Sequence, residues 1–298
     1  MNYRCVQCGG AVIIPSREEG SLACSHCGFT YIYANNYLKY DGDGLLLKHF
    51  RKRYLLNKVL NNNGLLSYIF IKEGSLSLSV REDVSNFKRY ISSYISHGKI
   101  LDVGCGILEL PGYLNFEEKE GFEFYGIDPI DNKSFRGIRI TGCAEFMPFF
   151  DNSLDAVIFA TSLDHVCSIE RTVHETHRVL SEGGKVFVWM SDRSTSFFER
   201  LKNMEDLLLN RLRLRFGFKV DKFIPGPDCN VRVNDFVIYP NYTVFYVPNG
   251  AKDPFHIHLE SPKIIIKLFK KTKFTFVDIQ SNKKNEIFLC FEKITKPI

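Results

Sequence analysis

Two apolar runs constrain this chain more than anything else in it: "KILDVGCG" (99–106) and "FEFYGIDP" (122–129). Each reads as a buried strand. The first breaks after Asp102 and Val103 into a turn carrying Gly104 and Gly106, and the second ends in Asp128. Glycines in such a turn let the backbone approach a ligand closely. In doubly wound α/β folds, ligands bind beyond the carboxyl ends of the strands, where strand order reverses. An acid about 20 residues after the turn can hold both hydroxyls of a ribose, so strand, turn, helix and acid form one nucleotide-binding unit. A dinucleotide fingerprint would require G-x-G-x-x-G. Here Gly104 and Gly106 are followed by Ile107, Leu108 and Glu109, and the missing third glycine argues against hydride transfer.

Four motifs occur in order: "LDVGCG", "YGIDP", "CAEFMPFFDNSLDAVIFATSLDHV" and "HRVLSEGGKVFVWM". In sequence and spacing the chain resembles class I S-adenosylmethionine (SAM)-dependent methyltransferases of the type 11 kind, over residues 81 to about 192. The likeness resumes over 252–298, where "FHIHLESPKIIIKLFKKTKFTFVDIQ" and "NEIFLCFEK" are similar to the family's last helix and closing strand pair. The resemblance implies an α/β fold with a Rossmann-like, mostly parallel sheet whose last strand is antiparallel. It implies SAM as cofactor, with Gly104 and Gly106 bordering the methionine moiety. Asp102 would orient the amino group and Asp128 would bind the ribose hydroxyls. "GCAEFMPF" (142–149) would lie against adenine, bringing Cys143, Ala144 and Glu145 close, with Thr161 and Ser162 ending the fourth strand. Two positions depart from the pattern. Leu108 stands where many members have glycine, and Cys143 where an acid often meets the adenine amino group. Losing that acid removes one charge-assisted hydrogen bond, so weaker SAM binding is expected.

Methyl transfer needs a nucleophile aligned with the methyl group and often a base to take its proton. "TSLDHV" places Asp164 and His165 just past the fourth strand, and His165 is of a type that titrates near neutrality. His165 equally suits a helix cap or a backbone contact. "DPFHIHLE" adds His256 and His258, whose alternation predicts strand neighbours facing one side. With Asp253 or His165 they would form a base pair or a metal site, although the sequence fixes no third ligand. His174 and His177 read as surface residues of a helix. The insertion at 193–251 starts helical ("SFFERLKNMEDLLLNRLRLRF") and becomes strand-like ("DFVIYPNYTVFYV"). A lid over the active site is expected there, with Arg211, Arg213 and Arg215 facing phosphates or acidic sugars, or simply ending a basic helix.

Ahead of this lies a cysteine pattern. Cys5-x-x-Cys8 and Cys24-x-x-Cys27 supply four thiolates from two knuckles, the donor set of a tetrahedral zinc site. Gly9, Gly10 and Gly28 follow the knuckles, where the chain must turn sharply. The connector at 9–23 suggests a hairpin between the knuckles, with "FTYIY" (29–33) as a third strand. The pattern resembles a zinc ribbon. Four thiolates close the coordination sphere, so Zn2+ here would be structural; iron or a disulfide pair are the alternatives. His26 reads as a bystander. The domain reading is a ribbon over 1–40, a linker-helix region over 41–80, and a methyltransferase domain over 81–298. In the linker, a helix from Leu45 to Leu60 is expected to stop at "NNNG". The next helix places Val84, Phe87, Ile91, Tyr94 and Ile95 on one face, with Gly98 as its C-cap.

Composition narrows the function classes. Of 298 residues, 45% are hydrophobic and 24% charged, with a net charge of +5. No run is apolar enough for a membrane span, and the N-terminus lacks a signal core, so a cytoplasmic protein is expected. A zinc ribbon before a class I domain is similar to large-subunit rRNA guanine methyltransferases, in which the ribbon helps grip RNA. The basic stretches "KHFRKRY" (48–54) and "NRLRLRF" (210–216) are compatible with that partner. Against it, the ribbon is poor in charge, with Arg4 and Arg17 opposed by Glu18 and Glu19, and phosphate contacts dominate nucleic-acid affinity. "SLDHV" and "DPFHIH" look closer to methyltransferases acting on small molecules or on sugars of surface polysaccharides, which makes such an acceptor the preferred reading. A non-catalytic SAM-binding scaffold is the third; Leu108 and Cys143 are its only support.

Overall fold

The apolar runs of the sequence pair into one ten-stranded sheet that starts inside the cysteine-rich region. The computed structural model describes residues 2–15, 19–70, 81–107, 109–116, 121–131, 133, 135–191, 231–233, 236–238, 244–246, 256–258, 260–281 and 286–294. The cysteine-rich region holds β1 (Asn2–Arg4), β2 (Ala11–Ile13), β3 (Gly20–Ala23), β4 (Thr30–Ala34) and β5 (Tyr37–Tyr40). Helices α1 (Gly42–Phe70) and α2 (Glu82–Ser92) follow. Then come β6 (Gly98–Val103), β7 (Phe122–Asp128), β8 (Ile138–Thr141), β9 (Leu154–Ala160), α3 (Ile169–Val179) and β10 (Leu180–Ser191). Three short strands, β11 (Val231–Val233), β12 (Phe236–Ile238) and β13 (Val244–Tyr246), pair antiparallel with one another. The chain closes with α4 (Pro262–Lys271), β14 (Phe274–Ser281) and β15 (Glu286–Lys293).

Across the large sheet the order is β14-β15-β10-β9-β6-β7-β8-β5-β4-β3. From β10 to β5 every pair is parallel, while β15 and β14 close one edge antiparallel. This is the α/β, mostly parallel sheet with an antiparallel last strand that the sequence motifs imply. Parallel strands covered on both faces read as continuous apolar runs, and β6 and β9 do so. Successive residues feed opposite cores: Leu101 and Phe159 pack on one face, Ile100 and Ile158 on the other. Helix α2 covers the second face with Val84, Phe87 and Ile91, and the Phe87 ring lies 5.3 Å from Trp189 and 5.0 Å from Phe288.

Three local expectations are corrected. The cysteine knuckles do not flank a shared hairpin, since β2 pairs with β1 and β3 with β4. Each knuckle is itself a hairpin loop: the Gly9 N–H donates to Cys5 O (2.9 Å) and the Gly28 N–H to Cys24 O (2.8 Å), with both glycines at positive φ. "NNNG" does not stop α1, which runs on to Phe70 and departs from helical dihedrals at Phe50. Its asparagines are held by partners instead: Asn57 and Asn63 are buried, Asn57 Nδ2 donates to His165 O, and Asn61 Nδ2 donates one turn back to Asn57 Oδ1 at 2.9 Å. Gly98 does not cap α2, which has already ended at Ser92. It opens β6 at φ 119°, where a Cβ would stand 2.6 Å from the Asp155 carboxylate.

Of the 193–251 insertion, only β11–β13 fall among the described residues, so the expected lid helix and Arg211, Arg213 and Arg215 lie outside them. Leu108 and Asp253 also lie outside. No helix among the described residues is long and apolar enough to cross a membrane.

Candidate functional site

From β6 the chain moves outward through β7 to β8, then returns to the far side of β6 as β9. That reversal opens a crevice at the carboxyl ends of β6, β7 and β9, the place where this architecture binds ligands. A cleft of about 960 Å³, partly open to solvent, occupies it. Gly104, Gly106, Asp128, Thr161 and His165 line it on the sheet side, and Leu46, Asn57 and Asn61 of α1 line it from above. The linker helix is thus a wall of the site, which its sequence did not suggest.

The glycine turn is built for close approach. Gly104 has φ 78°, and a Cβ there would come within 2.4 Å of Ser162 Cβ. Gly106 has φ 62°, and a Cβ would meet nothing within 4 Å. Opposite, Thr161 is held at φ 55°, a conformation costly for a β-branched residue, while its N–H donates to Trp189 O at 3.0 Å. The strain turns the chain at the end of β9 into the cleft.

Asp102 is wholly buried. Its Oδ2 accepts from the Tyr113 hydroxyl at 2.9 Å, and its Oδ1 has no hydrogen-bond partner in the protein. Burial pushes its carboxyl up to about 7, against the opposing pull of Tyr113. Asp128 accepts the Gly106 N–H on Oδ2 (2.9 Å) and the Ile130 N–H on Oδ1 (2.8 Å). Burial raises its pKa too, while the Arg139 guanidinium and these two N–H groups hold it down.

Arg139 is the structural residue that sequence reasoning missed. It lies fully buried on β8, behind the glycine turn. Nη1 donates to Gly106 O (2.9 Å) and Cys105 Sγ (2.5 Å), and Nη2 donates to Ile130 O (2.6 Å). One side chain therefore ties the loop after β6 to the loop after β7. Alternation in "GIRIT" alone would place an arginine there in solvent; only the knowledge that β8 is an interior strand could have flagged it.

The segment 142–149 lies along the cleft, with Cys143, Ala144 and Glu145 on its lining. Its brace comes from the cysteine-rich region: the Tyr40 hydroxyl accepts the Cys143 N–H (2.9 Å) and donates to Phe146 O (2.5 Å). The Glu145 carboxylate is engaged elsewhere, accepting the Ser168 N–H at 3.0 Å where α3 begins. Burial raises its pKa, opposed first by that N–H.

At the mouth of the cleft, Asp164 and His165 follow β9 in a short 3-10 turn, and His256 arrives from a distant segment. His165 Nε2 stands 3.8 Å from Asp164 Oδ1, and His256 Nε2 stands 3.7 Å from Asp164 Oδ2. The two rings lie 4.7 Å apart. His258 does not share their side, because residues 256–258 form a bend rather than a strand. Its N–H donates to Asp164 O (3.1 Å) and its ring bonds Val166 O (3.0 Å), while burial lowers its pKa.

The sulfurs of Cys5, Cys8, Cys24 and Cys27 converge within 4.8 Å of one another. Cys5–Cys27 and Cys8–Cys24 are each 3.7 Å apart. A tetrahedral zinc with bonds of about 2.3 Å has ligand edges of about 3.8 Å, so the cluster has the size such an ion requires.

Fold and cleft together define the class I methyltransferase architecture. Residues 101–188 match the family model described as a methyltransferase domain. The chain thus carries a methyltransferase domain over those residues. No curated protein sequence matches the chain. Among solved structures, one from Pyrococcus horikoshii OT3 is 18% identical, with TM-score 0.49, covering 76% of this chain and 98% of its own. The 1,6-didemethyltoxoflavin-N1-methyltransferase of Burkholderia thailandensis, with bound 1,6-didemethyltoxoflavin and S-adenosylhomocysteine, is 12% identical, with TM-score 0.46, covering 80% and 88%. A SAM-dependent methyltransferase from Methanosarcina mazei is 18% identical, with TM-score 0.42, covering 74% and 100%.

Proposed function

We propose that this protein binds SAM in the cleft at the ends of β6, β7 and β9 and methylates a small-molecule or glycan acceptor. The observation that carries the reading is a nucleotide-type cleft lined by Gly104, Gly106 and Asp128, directly after a strand whose buried Asp102 keeps one carboxylate oxygen, Oδ1, without a hydrogen-bond partner in the protein. An ammonium group would satisfy it. Asp128 supports the same fit: each of its oxygens accepts one backbone N–H and keeps a lone pair for a ribose hydroxyl. Gly106 faces open space that a side chain would fill.

When bound, SAM supplies a methyl group on a cationic sulfur that is a good leaving group. The chain's own work is then to hold and orient. Tyr113 fixes Asp102, Arg139 fixes both ligand loops, and Tyr40 fixes the segment along which adenine would lie. Asp164, His165 and His256 stand at the acceptor side, where a proton must be managed. The four cysteines hold a structural zinc.

What favours a small acceptor over RNA is the position of the cysteine-rich region. It extends the sheet edge and braces the cleft, and its Arg4 is drawn toward Asp151 at 3.8 Å rather than presented as part of a basic face. Methyl transfer from isotope-labelled SAM into fractionated extract of the source cell tests the reading. Label in glycans or small metabolites supports it; label in RNA, removed by ribonuclease, overturns it. Calorimetry with S-adenosylhomocysteine should show binding that Asp128→Ala abolishes, and a chain that binds none is a scaffold of another kind.

A further inference from the structure

We infer that Asp164, His165 and His256 form a site for a divalent transition-metal ion at the acceptor side of the cleft. The inference rests on the methyl-transfer reading for its role, and on geometry for its existence. Two imidazoles and one carboxylate bring their ligand atoms within 4.8 Å of one another. The separations from the carboxylate, 3.7 and 3.8 Å, are too long for hydrogen bonds. Each is of the size found between donors around one ion, where bonds of about 2.0–2.2 Å put donors about 3.4–3.8 Å apart, with the two imidazoles facing different oxygens of the one carboxylate. Asp164 Oδ1 is buried and accepts no hydrogen bond.

A simple ion pair explains this cluster less well. One carboxylate can pair with one imidazolium, but a second charged ring 4.7 Å from the first would be repelled by it. A single cation shared by two neutral imidazoles and the carboxylate accounts for the convergence of all three side chains. The scaffold also has the support a metal site needs, because hydrogen bonds hold its segments together. The His258 N–H donates to Asp164 O at 3.1 Å, the His258 ring bonds Val166 O at 3.0 Å, and Asn57 Nδ2 donates to His165 O.

The donor set defines the chemistry. Three protein ligands with two histidines leave positions open, as in catalytic metal sites, in contrast to the closed four-cysteine cluster. His165 lines the cofactor cleft, and Asp164 lines the adjoining cavity with Trp189, Met190 and His258, so the ion stands where the two spaces meet. An acceptor hydroxyl bound there would have its pKa lowered. Its proton leaves to solvent, its oxygen lone pair forms the new C–O bond, and the pair of the broken C–S bond stays on sulfur as a neutral thioether. The substrate class is accordingly an oxygen acceptor, with a second oxygen donor beside it able to complete a chelate.

The test is calorimetric titration of Co2+ into untagged, full-length protein whose four-cysteine site is already filled with zinc. One further Co2+ per chain is expected, with a visible spectrum free of thiolate charge-transfer bands. His256→Ala and Asp164→Asn should each weaken that binding by about 100-fold or more. Neither residue is assigned to SAM, so retained S-adenosylhomocysteine binding reports that each variant is folded. Absence of a further Co2+ in the wild-type chain, or unchanged affinity in a variant that still binds S-adenosylhomocysteine, overturns the inference and leaves the function reading standing. Co2+ binding without S-adenosylhomocysteine binding would instead remove the function reading and leave the metal site.

Discussion

The proposed assignment of the buried Asp102 to the SAM amino group predicts a pH dependence of affinity that can be worked out in advance. Its carboxyl titrates near 7 instead of near 3.8, because burial disfavours the charge. The sign follows directly. Between those values the folded chain keeps a proton that the unfolded chain has released, so the group's contribution to stability is full below the lower value. It is lost as pH rises through about 7, by about 4 kcal/mol in all. An ammonium ligand at Oδ1 favours the ionised carboxylate, so binding must expel that proton. The apparent dissociation constant then scales as 1 + 10^(pKa − pH), a factor of about 11 at pH 6 and about 1.3 at pH 7.5. Affinity for S-adenosylhomocysteine should therefore rise roughly eightfold across that window, while the ligand's amino group, with an ordinary pKa of about 7.7–8.0, stays largely cationic. Calorimetry at four pH values in matched ionic strength measures it, with Asp102→Asn as the control. A wild-type affinity constant within twofold, or an equal slope in Asp102→Asn, would refute the assignment of this carboxylate to the cofactor.

Gly104→Ala should drive a Cβ to 2.4 Å from Ser162 at a positive φ, lowering stability by about 1–3 kcal/mol and S-adenosylhomocysteine affinity with it; an unchanged melting temperature would contradict the geometry. Arg139→Met removes the donor to Gly106 O and Ile130 O and leaves Asp128 without its buried counter-charge. A loss of about 3–5 kcal/mol is expected in denaturant unfolding, and a loss below about 1 kcal/mol would show that the two loops hold themselves.

What could be read from the sequence, and what could not, separates along physical lines. Strands β6 and β7 and the turns that follow them were legible because continuous apolar runs, glycines and a terminal acid are local signals. The convergence of the four cysteines was legible for the same reason, since each knuckle is spelled out within a few residues. Helix α1 was misread because asparagine is a poor helix former in isolation, and nothing local reveals that Asn57 and Asn63 are buried by tertiary contacts. The alternation of His256 and His258 suggested a strand, but the segment bends, with the His258 N–H on Asp164 O and its ring on Val166 O, while His256 joins Asp164 and His165. Asp164 became visible as the common neighbour of His165 and His256 only after the chain had folded, with 91 positions separating the two histidines.

The parallel pairing of β5 with β8 has a consequence for anyone who would trim this protein. Tyr37–Lys39 lie in register with Arg139–Thr141, so the cysteine-rich region supplies the neighbour that β8 would otherwise lack. A chain begun at residue 41 would leave β8 as an open edge, with unpaired N–H and C=O groups flanked by buried isoleucines. Such an edge is a template for pairing with another copy. The shortened protein should therefore fail first by self-association, and the cysteine-rich region at one end of the chain acts as a guard against aggregation for the parallel sheet.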